Sequence, residues 1–446
     1  MDIILLKKLL KEKKINTLKE ELNLMQIADI AEFIDELEGK DILLVFRLLN
    51  KEIAADVFSY LSSDRKVEIA KHFNEKELAD IVNDLYFDDM IDFLEEMPAN
   101  LVKRVLMYAS EAERKLINQF LNYPEHSAGS LMTIEFVDLK KEMLVKDALR
   151  RIKAIGLDKE TIYTCYVMDN KRRLEGIISL KDLVLADGEK KVKDLMTTEF
   201  ISVDTHDHRE DIADLFKKYD LLSVPVVDHE QRLVGIITID DIVDVIEREN
   251  TEDFYKMAAI GPHEEDYLDT SVFTLASKRI PWLLILMISA TFTGYIIRYY
   301  EVALEAVVAL ATFIPMIMGT GGNAGSQAST LVIRGIALGT IKFNNLLGVI
   351  WKEMRVSLLV GLILSGLNFL RIYYLEGYSF RIALIVAFTL VFTVMMAKII
   401  GGILPLVAKQ LSIDPAIMAA PLVTTIVDAL ALLMYFHFAL LLLGLG

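Results

Sequence analysis

The chain has 446 residues, 53% of them hydrophobic, with 48 Lys/Arg against 64 Asp/Glu and a formal net charge of −16. The charge is segregated: residues 279–446 hold 10 Lys/Arg and 6 Asp/Glu, leaving 38 and 58 in residues 1–278. An acidic soluble half argues against nucleic acid or anionic lipid as a partner, and the single cysteine, Cys165, excludes an intrachain disulfide framework or a zinc finger. The N-terminal apolar run is too short for a signal peptide, so the soluble portion is expected in the cytosol.

Residues 1–125 read as helix almost throughout, with apolar residues at helical spacing in Ile27, Ile30, Ala31, Ile34 and Leu37, and in Ile53, Val57, Phe58 and Leu61. Breaks at Ser62-Ser-Asp64 and Met97-Pro-Ala-Asn100 carry residues able to cap the following helix. Short helices of this kind predict a right-handed solenoid-like array.

An internal repeat follows. Leu131-Met-Thr133 recurs as Leu195-Met-Thr197, Val137-Asp138 as Val203-Asp204, and Gly176–Leu183 as Gly235–Ile242. Each copy predicts a helix (Lys146–Ile155; Arg209–Tyr219) and a β-rich run (Thr161–Met168; Ser223–Val227), so the segment is an α/β pair. It resembles a pair of CBS domains. That resemblance implies an adenine-nucleotide turn at Ser179 with Asp182, and at Thr238 with Asp241; on residues alone, both turns read equally as helix caps. Cys165 reads as a core residue.

From Asp240 to Asp269 the chain carries eleven acids against Arg248 and Lys256 alone. Carboxylates three and four residues apart repel on a helix unless a cation or a basic partner neutralises them. A second acidic stripe, Asp88, Asp89, Asp92, Glu95 and Glu96, lies in the helical array and can face the first.

Five apolar stretches occupy the remainder: Ile280–Ile297, Val302–Ile333, Val356–Leu370, Ile382–Ala408 and Pro415–Leu443. About 20 helical residues cross a hydrocarbon core. The second stretch is too long for one span and contains Gly319-Thr-Gly-Gly-Asn-Ala-Gly325, expected to be irregular backbone lining a cavity. The third is short and needs its flanks. Lys278, Arg279, Arg334, Lys342, Lys352, Arg355 and Lys409 fall on one side, which predicts a cytoplasmic N-terminus and an outside C-terminus. Asp428 stands near the middle of the last stretch, where an ionised group costs roughly 3 kcal/mol and normally faces a water-filled path or a partner such as Lys398. No second acid lies at similar depth, so an intramembrane aspartyl hydrolase is not expected and the chain reads as a non-enzyme.

The runs Pro315–Ser329, Asp414-Pro-Ala with Pro421-Leu-Val-Thr-Thr-x-x-Asp428, and Ser127–Met132 resemble the signatures of the MgtE family of magnesium channels. The whole-chain order matches as well: an all-α helical-repeat N domain (1–128), tandem α/β CBS domains (129–188 and 189–248), an acidic connecting helix (249–277) and an all-α transmembrane domain of five helices (278–446). The resemblance implies a plasma-membrane homodimer conducting Mg²⁺. Asp428 would stand at the pore axis, with Gly321, Gly322, Asn323, Gln327 and Thr424 lining the path. It further implies closure by cytosolic Mg²⁺ bound among acids, for which Asp89, Asp220, Asp241, Asp244, Glu249, Glu252 and Asp253 are the candidates, and modulation by ATP at the CBS pair. A carrier for Co²⁺, Mn²⁺ or Ni²⁺ is the alternative. Ala420 and Ser326 stand where the family often has asparagine.

Overall fold

The computed structural model describes residues 3–263, 267–268 and 270–444, which form two compact units, residues 1–246 and 247–446. Four acids of the connector, Glu264, Glu265, Asp266 and Asp269, lie outside the described residues.

The first unit begins with short amphipathic helices. They are α1 (Ile3–Lys11), α2 (Ile15–Leu22), α3 (Ile27–Asp35), α4 (Lys40–Phe46) and α5 (Lys51–Ser59). Then come α6 (Ser63–His72), α7 (Glu75–Asp84), α8 (Phe87–Glu96), α9 (Ala99–Tyr108) and α10 (Glu111–Phe120). Alternate helices pack in two rows, α3 on α5 on α7 on α9, and α4 on α6 on α8. Their buried faces are the apolar stripes seen in the sequence, with Ile30, Ile34, Phe58 and Phe93 wholly inside. Ser62 does not cap α6; its hydroxyl donates to Asp35 Oδ1 at 2.8 Å and ties the helix start to α3. Capping boxes instead close α7 (Asn74 with Glu77) and α10 (Ser110 with Glu113), each fitting the pattern of a short polar residue three before Glu.

The repeat folds as two like units. After α11 (Ala128–Leu131), the first holds β1 (Val137–Leu139), α12 (Val145–Ile155), β2 (Thr164–Met168), β3 (Leu174–Ser179) and α13 (Leu180–Leu185). The second holds β4 (Val203–Asp204), α14 (Arg209–Tyr219), β5 (Ser223–Val227), β6 (Leu233–Thr238) and α15 (Ile239–Met257). In each sheet the first two strands run parallel and the last two antiparallel. Register corrects one sequence match. Leu139 opposes Val167 on β2, and Val203 opposes Val226, the same position on β5. Leu139 is therefore the counterpart of Val203 and Lys140 that of Asp204, so the Val-Asp likeness is two residues out of step. Cys165 is fully buried in β2, with burial pushing its thiol up to about 12.

The recurring Leu-Met-Thr and Gly-Ile-Ile segments recur because they interlock. Thr133 exchanges hydrogen bonds with Ile236 of the other sheet (2.8 and 2.9 Å), and Thr197 does the same with Ile177 (2.8 and 3.0 Å). Each repeat thus lends a residue to its neighbour's sheet. The crossing needs a residue without a side chain beside it. A Cβ on Gly235 would lie 2.7 Å from Thr133 O and 2.8 Å from Met132 Sδ, and one on Gly176 would lie 2.9 Å from Thr197 O.

The second unit contains α16 (Val272–Tyr299), α17 (Glu301–Ala306), α18 (Ala309–Ala337), α19 (Leu346–Leu370), α20 (Phe380–Gln410) and α21 (Ala420–Leu443). Four segments are long and apolar enough to cross a membrane: Val272–Tyr299, Phe343–Leu375, Phe380–Gln410 and Pro415–Leu443. At 29 residues α18 is long enough too, its middle diluted by glycine and polar residues. The overlong second stretch is resolved as α17 followed by α18, and the short third gains ten residues upstream as α19. The glycine run is continuous helix, contrary to the irregular backbone expected, and its glycines serve close packing. α18, α20 and α21 pack on one another at the centre, with α19 against α20 and α16 against α21.

Gly235→Ala is expected to destabilise the protein by about 1–3 kcal/mol, because the new methyl meets backbone that cannot swing away. Thermal unfolding of the full-length protein in detergent measures it. Gly188→Ala, whose nearest neighbour would be Lys146 Cβ at 3.4 Å, is expected to leave the melting temperature unmoved.

Candidate functional site

The membrane unit is built around three helices brought together by glycine. A Cβ on Gly401 of α20 would strike Gly325 O of α18, so the two backbones touch. A Cβ on Gly325 would lie 2.7 Å from Val423 of α21, and one on Gly321 would lie 2.6 Å from Thr393 and 2.9 Å from Val427. Gly322 meets α21 one turn along. Its absent side chain leaves room for Thr424 Cγ2 at 3.0 Å and Asp428 Oδ1 at 3.8 Å. The glycines thus draw α18 directly under the carboxylate. Asp428 is half-buried and, among the described residues, forms no ion pair; the Lys398 pairing weighed from the sequence is not made.

Of the residues expected to line a path, Gly321 and Gly322 are buried at helix contacts, and Thr424 turns its hydroxyl back to Pro421 O at 3.0 Å. Asn323 and Gln327 are exposed. With Ser326, Thr330, Leu331 and Lys398 they line a groove of about 640 Å³. Ser326 donates to Gly322 O at 2.8 Å, and Ser329 donates to Met418 O at 2.5 Å, tying α18 to the turn before α21. The buried Lys398 in the groove wall was considered in the sequence only as a partner for Asp428.

A second acidic centre lies within the first unit, where α8 faces the start of α15. Helix α8 buries Phe87, Met90, Ile91, Phe93 and Leu94 and presents Asp88 and Asp89 in its first turn. Burial, then the charges of Asp241 and Asp89, hold Asp88 well above the usual carboxylate range. Burial pushes Asp89 up to about 6. It also raises Asp241 to about 7, against the stabilising bond from Thr238 Oγ1 (2.7 Å) and with the repulsion of Asp240. Glu160 rises to about 8 through burial and the charges of Asp240, Asp241 and Asp89. Its Oε2 is buried without a hydrogen-bond partner. Glu160 and its neighbour Glu135 were not singled out in the sequence, since isolated acids in loops carry no periodic signal. No three of these carboxylates converge to within 4.8 Å among the described residues.

The remaining sensor candidates are dispersed. Asp244 is exposed on α15, and Asp220 is exposed at the left-handed C-cap of α14 (φ 50°). In the second unit, Glu249, Glu252 and Asp253 are half-buried on α15. Lys256 Nζ lies 2.6 Å from Glu252 Oε1 and 2.6 Å from Asp414 Oδ2. Burial alone would lower the Lys256 pKa, but these two carboxylates raise it instead. The pair links α15 to the turn that starts α21.

At the two candidate nucleotide turns, Ser179 Oγ donates to Asp182 Oδ2 at 2.6 Å and accepts from Asp182 N at 3.0 Å, while Thr238 Oγ1 is held by Asp241. Both hydroxyls therefore act as helix-start bonds here. Asp182 is exposed, whereas Thr238 is buried beside the acidic centre.

Carboxylates whose folded pKa is raised give stability that is complete below about pH 4 and lost as pH climbs through about 6 to 8. Without divalent cations, the first unit is expected to melt lower at pH 8.5 than at pH 5.5, by on the order of 5 °C. Millimolar Mg²⁺ should restore most of the loss at pH 8.5 and little at pH 5.5. Thermal unfolding of the full chain, with and without Asp89→Asn/Asp241→Asn, measures this; the variant should lose the pH dependence.

Comparison with known proteins assigns the three regions. Family models match the MgtE intracellular N domain at residues 25–126, the CBS domain at 128–189 and 192–248, and the MgtE divalent cation transporter at 314–438. A magnesium transporter MgtE of Thermus thermophilus is 37% identical over 442 residues, covering 98% of each chain. The Bacillus subtilis protein of the same name is 35% identical, covering 93% of this chain and 94% of its own. A solved cytosolic domain of the Mg²⁺ channel MgtE in complex with ATP is 36% identical, covering 55% of this chain and 99% of that one at a TM-score of 0.52. On full-length similarity to such relatives, with all three regions matched in order, the chain belongs to the MgtE family of divalent cation transporters.

Proposed function

We propose that the protein is a Mg²⁺-selective channel of the cell membrane, acting as a homodimer and closed by cytosolic Mg²⁺. One observation carries the reading: Asp428 is held half-buried over Gly322 on a membrane helix and forms no ion pair among the described residues. A carboxylate so placed is stabilised by a passing cation, and a second copy across a dimer axis would supply the other half of the site. Mg²⁺ gives up water reluctantly, so two carboxylates hold it through its hydration shell without trapping it. The polar groups of the adjacent groove are hydroxyl and amide with one ammonium, and no thiol or imidazole lines it. That donor set fits a hard ion better than Co²⁺ or Ni²⁺.

Closure follows from the second acidic centre. With a cation among Asp88, Asp89, Glu135, Glu160, Asp240 and Asp241, α8 and the start of α15 hold together. Without it, repulsion among these carboxylates drives them apart. A ligand shifts such an equilibrium only by its preference for one state, and a divalent ion prefers the state in which the acids are close. Helix α15 carries Asp240 and Asp241 in its first turn and Lys256 in its last, so a displacement reaches Asp414 and the helix bearing Asp428. The lysine and arginine distribution supports a cytoplasmic position for the first unit. ATP, seen bound in the related cytosolic domain, fits the exposed Ser179–Asp182 turn better than the Thr238 turn, where the buried acids would repel phosphate.

Mg²⁺ flux into liposomes tests both parts. Asp428→Ala is expected to reduce flux at least tenfold with folding intact; undiminished flux would remove the pore assignment. Lys256→Met should leave maximal flux near native while weakening inhibition by Mg²⁺ on the cytosolic face by threefold or more. An unchanged inhibition curve would detach α15 from gating.

A further inference from the structure

Four of the chain's seven histidines, His126, His206, His208 and His229, gather at one corner of the second CBS unit. Two of them converge on a carboxylate. Asp204 Oδ1 lies 3.2 Å from His206 Nδ1, and Asp204 Oδ2 lies 3.3 Å from His229 Nδ1. One ligand atom from each of the three residues can be chosen so that all lie within 4.8 Å of one another. A tetrahedral ion with bonds of about 2.0–2.1 Å separates its ligands by about 3.3 Å, and each imidazole already stands at that spacing from one oxygen of Asp204, Oδ1 for His206 and Oδ2 for His229. The two imidazoles are nearly parallel, 12° apart with centroids at 5.5 Å.

We propose that Asp204, His206 and His229 form a binding site for a borderline divalent transition ion, Zn²⁺ foremost, with its remaining positions open to water. Imidazole nitrogen favours Zn²⁺, Co²⁺ and Ni²⁺ over Mg²⁺, so the site is chemically separate from the all-oxygen centres.

The loops that carry the ligands are fixed in advance. Asp204 N donates to Asp207 Oδ2 at 2.8 Å, His206 N donates to Asp204 Oδ1 at 3.0 Å, and Thr205 N donates to Val227 O at 3.2 Å. On the facing turn, Asp228 Oδ1 accepts from Glu230 N and Arg232 N, both at 2.9 Å. Thr205 Oγ1 lies 2.9 Å from His206 Nδ1 and must yield that nitrogen when the ion binds.

The first CBS unit provides an internal control. By strand register and helix start, the positions of Asp204, His206 and His229 are held there by Lys140, Glu142 and Asn170. Lys140 Nζ reaches Asp169 O at 2.8 Å, and Glu142 pairs with Lys191 and Lys193 at 2.7 and 2.8 Å. The same corner is thus built without imidazole and with a lysine ammonium where the other unit has a carboxylate. The fold does not require the histidines. The corner also adjoins the link from the helical array: Arg209 N donates to His126 O at 2.9 Å, and the Tyr123 ring stands edge-on to His206 at 6.4 Å. An ion here would stiffen that junction.

Titration of the full-length protein with Co²⁺ in excess Mg²⁺, followed by visible absorption, tests the site. One equivalent of Co²⁺ per chain, displaced by Zn²⁺, is expected. His206→Glu/His229→Asn, which installs the first unit's own residues and so should fold, is expected to weaken binding at least tenfold, and Asp204→Asn to weaken it as well. Absence of a one-equivalent band in the native protein, its survival in the double variant, or its loss to Mg²⁺ alone would overturn the proposal.

Discussion

Negative charge held out of water with too little positive charge beside it is the constraint to which both halves of the molecule answer. In the membrane unit it is concentrated in Asp428, pinned above Gly322 by the close approach of α18 and α21. In the first unit it is spread over Asp88, Asp89, Asp241 and Glu160, each raised first by burial, with the charges of nearby carboxylates adding to the rise. Neither arrangement optimises stability, because a buried charge without a partner costs more than its neighbours return. Under the proposed function, a divalent cation makes both favourable.

The same chemistry at two places serves different purposes because the supports differ. Asp428 projects from α21, whose Val423, Thr424 and Val427 pack closely on the glycines of α18, so it has little freedom to retreat from an ion. Of the soluble acids, Asp88 and Asp89 sit on the first turn of α8, Asp241 on that of α15 and Glu160 in a loop, so separate elements carry them. A rigid acid suits conduction and a separable set suits sensing. Lys256, shared between Glu252 and Asp414, ties the end of α15 to the turn before α21.

The two copies of the CBS pair support each other and differ at their corner loops. Thr133 and Thr197 each complete the other copy's sheet, over glycines that cannot be enlarged. With that framework secure, the corner loops were free to vary. One copy acquired Lys140 and Glu142 with their surface ion pairs, the other Asp204, His206 and His229.

Much of this was legible in the residues themselves. Apolar periodicity marked the helical array, the helices Arg209–Tyr219 and Val145–Ile155, and the strand Ser223–Val227 to within a residue, because those signals are local and repeat with the element's own period. Asp428 was legible because one acid in an apolar span has no ordinary explanation. Other features depended on residues distant in sequence. Ser62 bonds Asp35 instead of capping, the glycine run is helix because α20 and α21 fill the space beside it, and the Val-Asp likeness fails on strand register. Glu135 and Glu160 joined the acidic centre only through the fold, as did the convergence of Asp204, His206 and His229. Sequence determines which charges exist and which segments can bury themselves. Only tertiary packing decides which carboxylates share a low-dielectric space, because repulsion and desolvation depend on distance in three dimensions.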